Sequence, residues 1–257
     1  MSEPLLLSRV DEGVATLTLN RPRQYNALSS ALLESLHAEL GRVAADESIR
    51  VVIITGSGTA FCAGHDLKEM RGAPPEEIQR LFASCSAMMQ QIVALPQPVI
   101  AAVNGLATAA GCQLVAQCDL AVASENARFA VSGINLGLFC STPAVALSRN
   151  ISRKRAAEML FTGEFIEAAT ALEWGLVNRL APADRLMETT HALANNLKAK
   201  PPASLALGKA LFYRQLEAGL KLAYEDASRT IAGNMAHEEA REGVDAFLAK
   251  RPPNWKP

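Results

Sequence analysis

Several things are scarce in this chain, and each scarcity excludes something. Aromatic residues make up only 5% of its 257 residues and no basic stripe interleaves with them, so a base-stacking nucleic-acid surface is not indicated. Charge of one sign is missing too. The 25 Lys and Arg against 26 Asp and Glu leave a formal net charge of −1, with no general attraction for nucleic acid or an anionic membrane. Any anionic ligand therefore needs a local basic cluster. No apolar run approaches the roughly 20 residues that span a bilayer. The opening stretch, MSEPLLLSRVDEGV, lacks a basic region before its short apolar run and reads as mature sequence rather than a signal peptide. These absences predict a soluble, cytoplasmic protein.

Disulfide and metal frameworks are missing as well. The cysteines are Cys62, Cys85, Cys112, Cys118 and Cys140, an odd set with no CxxC pair. In a large, core-rich chain that pattern argues for reduced thiols. The histidines, His37, His65, His191 and His237, are scattered, which argues against a metal site.

What is present is material for a core. Apolar residues supply 49% of the chain and charged ones 20%. Leu5–Arg9 and Val14–Asn20 read as strands joined by a tight turn at Asp11–Gly13. Ser29 or Ser30 is placed to cap a helix in which Leu33, Leu36, Leu40 and Val43 recur at helical spacing. VVIITG (Val51–Gly56) is a β-branched run suited to a strand buried on both faces. A helix is predicted from Ala73-Pro74-Pro75-Glu76-Glu77 to about Leu95, a strand within Pro96–Gly105, a helix over AAGCQLVAQC and a strand at Leu120–Ser124. Alternation of this kind indicates an α/β fold. Beyond Asn150 the pattern is mainly helical, with one short strand near Leu176-Val177 and Arg179-Leu180. A hinge at Lys198–Pro202 precedes helices over Ala203–Leu220 and near Glu238–Lys250, and the chain closes on the basic, proline-rich KRPPNWKP. The reading is an α/β core over residues 1–197 and a helical C-terminal module over 198–257.

Two segments carry candidate chemistry. In ATAAGCQ (Ala107–Gln113), small side chains at a helix start let a ligand approach unpaired N–H groups, as an oxyanion hole requires. Taken alone, the segment reads better as close helix packing. In FCAGHDLKEM (Phe61–Met70), Gly64 permits an unusual backbone conformation and Asp66 can cap a helix from Leu67, which would present the His65 N–H. The His65 ring is either an ordinary loop side chain or a group beside a substrate.

Taken in order, NRPRQYNALS (Asn20–Ser29), FCAGHDLKEM, PQPVIAAVNGLATAAGCQLVAQCDLAVASENARF and REGVDAFLAKRPPNW resemble the enoyl-CoA hydratase/isomerase, or crotonase, superfamily over nearly the whole chain. Within it, the chain is similar to the hydratase domain-containing group, in which glutamine replaces the first acid. The resemblance implies a crotonase-like spiral of ββα units, a coenzyme A thioester as substrate, no tightly bound cofactor, and a homotrimer or hexamer built through the C-terminal helices. Residue by residue, it implies oxyanion donors at the backbone N–H groups of His65 and Ala110. It assigns Asn26, Ala27, Leu28, Ala63, Gly64, Asp66 and Leu67 to the coenzyme A site. Lys68, Phe247 and Lys250, with Arg251 beside it, are the implied phosphate and nucleotide contacts; without the resemblance, Lys250-Arg251 is an ordinary solvated helix end.

The usual reaction then meets a gap. Hydration of an enoyl thioester needs one group to activate water and one to deliver a proton, and by the resemblance those positions hold Gln113 and Gly133. Glutamine has no useful proton to exchange near neutral pH, and glycine has no side chain. Glu164 belongs to a later element. Cys140 matches a polar functional position in decarboxylase-like relatives, or is a small buried filler. The expectations are therefore an acyl-CoA enzyme with doubtful hydratase activity, decarboxylase-like chemistry, or a silent acyl-CoA-binding protein.

Overall fold

The computed structural model describes residues 3–255; Met1, Ser2, Lys256 and Pro257, at the ends of the two terminal stretches read above, lie outside the described residues. β1 (Leu6–Asp11) and β2 (Val14–Leu19) form an antiparallel hairpin, and its two-residue turn, Glu12-Gly13, has positive φ at both positions. That geometry matches the strand twist. Ser29 caps α1 (Ser30–Ala44), its side chain accepting from the Leu32 N–H, and Leu33, Leu36, Leu40 and Val43 are buried.

From β3 onward the chain winds as a spiral. Each turn lays a longer strand in one sheet, a three-residue strand in a second sheet, and then a helix. The first turn is β3 (Val51–Gly56), β4 (Ala60–Cys62), the short α2 (Leu67–Met70) and α3 (Pro75–Ala94). The second is β5 (Val99–Val103), β6 (Leu106–Thr108) and α4 (Ala110–Gln117). The third is β7 (Leu120–Ser124), β8 (Arg128–Ala130) and α5 (Ser141–Asn150), followed by α6 (Arg153–Thr162). β9 (Ile166–Glu167), α7 (Ala168–Trp174), β10 (Arg179–Ala181) and α8 (Leu186–Lys198) close the two sheets. The large sheet has the order β1-β2-β3-β5-β7-β10 and the small one β4-β6-β8-β9. Beyond the β1–β2 hairpin the large sheet is parallel, and only β8–β9 is antiparallel in the small one.

Alternate side chains of β3 enter different cores, which is why its sequence is continuously apolar. Val52 and Ile54 join the main cluster with α1, α3 and α4, while Val51 and Ile53 meet Leu193 and Ala194 of α8 on the other face. At the C-terminal end the expected Ala203–Leu220 helix is shorter: α9 runs Pro202–Leu216, and a separate α10 (Leu220–Met235) follows before α11 (Glu238–Leu248). Gly219 sits at the break, a residue that weakens helix interiors.

Candidate active site

β4 and β6 are parallel neighbours, so the loops leaving their carboxyl ends emerge side by side. After β4 the chain passes through Ala63-Gly64-His65-Asp66 into α2, and after β6 it passes through Ala109 into α4. Gly64 lies at φ +90°, and a Cβ there would stand 2.8 Å from the Ala109 Cβ, 3.1 Å from the Thr108 carbonyl oxygen and 3.2 Å from the Ala110 nitrogen. Only glycine permits both the conformation and the approach.

Leu28 clamps the outer edge of this loop. Its N–H donates to the Gly64 carbonyl at 2.8 Å, and its carbonyl accepts from the Asp66 N–H at 3.1 Å. In such a bridge the intervening residue faces the other way, so the His65 N–H points away from Leu28. Among the described residues, neither the His65 nor the Ala110 N–H has an acceptor. Ala110 opens α4, where an unpaired N–H is intrinsic to the helix start.

Ala109 aims the second of these donors. Its backbone has φ 50° and ψ −120°, a region natural to glycine that costs an alanine about 1–3 kcal/mol. Two bonds hold it there: its N–H donates to the Ala130 carbonyl at 2.9 Å, and its carbonyl accepts from the Gln113 N–H at 3.0 Å. No turn residue marks this position in the sequence, and alanine carried no signal of it.

Loop 21–28 is fastened from beneath. The Asn26 side chain is wholly buried, accepting from the Arg21 N–H and donating to the Ser57 and Ala60 carbonyls. Arg21 donates to the Ala27 carbonyl and pairs with Asp66 at 2.8 Å. The Arg21 guanidinium holds the Asp66 carboxyl below its usual range, and Asp66 also caps α2 through the Lys68 N–H. Three residues that the resemblance assigns to coenzyme A have side chains engaged within the protein. The Asn26 and Leu28 side chains are buried, and the Asp66 carboxylate is engaged within the protein, so their side chains position the loops. Ala27 and Ala63 are half-buried, and Leu67 and Lys68 are exposed. Arg21 was not singled out from sequence, because a lone arginine before a proline has no signature.

The His65 imidazole stands edge-on to Phe82 with ring centroids 4.9 Å apart, and among the described residues neither ring nitrogen has a hydrogen-bond partner. Burial lowers its pKa below 6.5, only partly opposed by the nearby Leu28 carbonyl and Glu69 carboxylate. A depressed folded-state pKa adds stability that is complete above the unfolded value and lost as pH falls through the folded one. The native chain should accordingly lose more stability than His65→Gln between about pH 7 and pH 5, where histidine titrates. Urea melts at both pH values measure this, and equal losses would refute it.

Gln113, on the first turn of α4, is 4% exposed, and among the described residues its buried Oε1 has no partner. Gly133 lies in the 3₁₀ turn Ser132–Leu136. A Cβ on it would meet the Leu138 carbonyl oxygen at 2.6 Å and the Cys140 Sγ at 2.7 Å. The stem of any side chain at 133 is thus displaced by the loop itself, which folds back through the Leu138 N–H to the Gly133 carbonyl at 2.9 Å. Burial pushes the Cys140 thiol up, partly opposed by the Gly133 N–H, so it sits there as a neutral group. Glu164 is exposed between α6 and β9.

At the other end of the chain, α11 packs on α9 and α10 and leaves Phe247 82% exposed. Lys250 follows α11 at φ 54°. Arg251 is clasped by Glu242 through its two terminal guanidinium nitrogens, which, with the Asn254 N–H, lowers the Glu242 pKa to about 2.

A two-sheet spiral whose short parallel strands end in paired amide-presenting loops is the architecture of the crotonase fold. The chain belongs to the enoyl-CoA hydratase/isomerase family, whose model matches residues 9–257. It is 47% identical over 256 residues to the mitochondrial enoyl-CoA hydratase domain-containing protein 3 of Rattus norvegicus, covering 99% of this chain and 85% of that protein. It is 38% identical to the 2,3-dehydroadipyl-CoA hydratase of Escherichia coli (strain K12), over 100% and 99% of the two chains. Among solved structures, an enoyl-CoA hydratase of Mycobacterium smegmatis superposes with a TM-score of 0.97 at 59% identity, covering 98% of this chain and 99% of that one. Human enoyl Coenzyme A hydratase domain-containing protein 3 gives 0.95 at 44% identity, over 98% and 100%.

Proposed function

We propose that this protein binds an acyl-CoA and stabilises its thioester enolate between the backbone N–H groups of His65 and Ala110, without acting as an efficient hydratase. The observation that carries the reading is the pair of neighbouring, acceptor-free N–H groups at the carboxyl ends of β4 and β6. Donors fixed at the place where negative charge develops need no reorganisation during reaction, and this makes them effective. Coenzyme A enters as substrate along the Ala27, Ala63 and Leu67 backbone, with Lys68 as one phosphate contact. Phe247 and Lys250 complete the nucleotide pocket of a neighbouring subunit.

Decarboxylation is the second reading. Gln113, Gly133 and Cys140 are all neutral, so nothing at those positions repels a carboxylate on the acyl group. A glutamate there would repel it by about 3 kcal/mol at about 5 Å and an effective dielectric constant of about 20. Loss of CO₂ leaves the electron pair on Cα as the enolate, so less proton machinery is needed.

The test is a panel of crotonyl-, malonyl- and 3-hydroxyacyl-CoA assayed for turnover beside binding calorimetry. Tight binding with enolate-forming turnover of one ester supports the proposal. Tight binding without turnover of any ester leaves a silent acyl-CoA-binding protein. Crotonyl-CoA hydration at ordinary hydratase rates overturns the reading of Gln113 and Gly133.

A trimer or hexamer is supported by the apolar surface of the C-terminal helices, where Leu220 is 76%, Phe247 82% and Leu248 73% exposed. Light scattering should return three or six times 27.4 kDa; a monomer would refute it. The five free thiols suit a reducing compartment such as the cytoplasm. Among the described residues, no helix is long and apolar enough to cross a membrane.

A further inference from the structure

We infer that Ala109 is a positioning residue whose strained backbone aims the Ala110 N–H and whose methyl group fixes the spacing between the two donor loops. The inference rests on the proposed oxyanion role of His65 and Ala110. Ala109 has φ 50° and ψ −120°, and ψ of residue 109 orients the peptide plane that carries the Ala110 N–H. An ordinary helix N-cap, with ψ near that of Ser29 at 161°, would turn that N–H in a different direction. The strained value is therefore the one that decides where the donor points.

The torsion is determined from both sides, by the Ala109 N–H on the Ala130 carbonyl and the Gln113 N–H on the Ala109 carbonyl. The Ala109 methyl meanwhile packs on Gly64, where a Cβ would come within 2.8 Å of it. Gly64 directly precedes His65, so the methyl is a spacer between the two donor segments. Glycine would adopt this torsion without strain, yet the chain carries a methyl there. Strain that the surroundings maintain at a ligand site is a recurring mark of function. A second observation points to a ligand at the same place. Gln113 lies one turn along α4 on the Ala110 face, 4% exposed, with its Oε1 unpartnered among the described residues.

Ala109→Gly separates the two effects of the methyl. Removing strain should raise the melting temperature by about 2–4 °C, the shift that about 1 kcal/mol produces in a domain of this size. Removing the spacer should loosen the donor pair. The probe is acetoacetyl-CoA, whose enolate places negative charge on the thioester oxygen and is read by its ultraviolet absorbance. In the native protein the pH midpoint for enolate formation should lie below that of the free ester. In Ala109→Gly it should return toward the free value by about one pH unit, a tenfold loss of preference for the enolate. Binding of coenzyme A itself should not change. An unchanged midpoint in the variant, or a lower melting temperature, would overturn the positioning role. A native midpoint equal to that of free acetoacetyl-CoA would instead overturn the oxyanion reading on which it rests.

Discussion

Lys209→Met is expected to lower the unfolding free energy by about 3–5 kcal/mol, as breaking one side of a buried ion pair generally does. The ammonium group of Lys209 makes three bonds: to the Ile92 carbonyl at 2.9 Å, the Gln97 carbonyl at 3.0 Å and Asp119 Oδ2 at 2.7 Å. Only 7% of its side chain and 14% of that of Asp119 is exposed. Asp119 also accepts from the Tyr213 hydroxyl and the Val99 N–H. Methionine matches the length of the stem but leaves two carbonyls and a carboxylate without their donor. Burial lowers the Lys209 pKa while Asp119 opposes it, and burial raises that of Tyr213, so the charge is held by its partner and not by solvent.

The same cluster ties α9 to the end of α3 and the start of β5, so its loss should release the C-terminal helices before the spiral unfolds. Asp119→Asn in the Lys209→Met background should recover part of the loss, because the unpaired charge is gone and the amide oxygen still accepts from one of Tyr213 and Val99, which bond different oxygens of the native carboxylate. Urea unfolding at one fixed protein concentration measures all four corners of this cycle. A loss below about 1 kcal/mol for Lys209→Met would show that water reaches the cluster.

How much of this could be read beforehand depends on element length. α1 and α3 were legible because several turns of apolar spacing repeat in each, and β3 because β-branched residues fill both of its faces. The second sheet was not. β4, β6 and β8 have three residues each, too few to show a period, although the loops of the candidate site leave β4 and β6. α10 was hidden because its apolar residues, Leu220, Leu222, Tyr224 and Ile231, face outward, so core-seeking periodicity missed it. The site divides in the same way. Asp66 and Ser29 as caps, and the glycine requirement at 64, follow from residue chemistry. The inward turn of Asn26, the Arg21 clasp and the torsion of Ala109 depend on partners distant in sequence. Identity also misled at position 133. Glycine reads as the absence of an acid, whereas the structure adds that the place is already filled.

That filling governs the last expected result. Each missing acid–base group is worth about 10²–10⁴-fold, so hydration of crotonyl-CoA by the native protein should fall about 10⁴–10⁸-fold below that of a relative with both acids. Restoring the side chains should not restore the rate. Gln113→Glu places a carboxyl in a position only 4% exposed, where desolvation favours its protonated form. It can recover at most the contribution of one group. Gly133→Glu must bring a Cβ to 2.6 Å from the Leu138 carbonyl oxygen and 2.7 Å from the Cys140 Sγ, a separation that side-chain atoms do not tolerate. Adding Cys140→Gly removes the sulfur but leaves the carbonyl, so the backbone of 133–140 must still move. Gly133→Glu should therefore lower the melting temperature, with or without Cys140→Gly, and add no hydration beyond Gln113→Glu alone. Loss of crotonyl-CoA absorbance, followed beside thermal melts of each variant, measures both. If Gln113→Glu with Gly133→Glu hydrated crotonyl-CoA at two-acid rates while keeping the native melting temperature, the loop would be adaptable. The gap would then be one of side chains only, and the chemistry of this site would lie two substitutions from that of a hydratase.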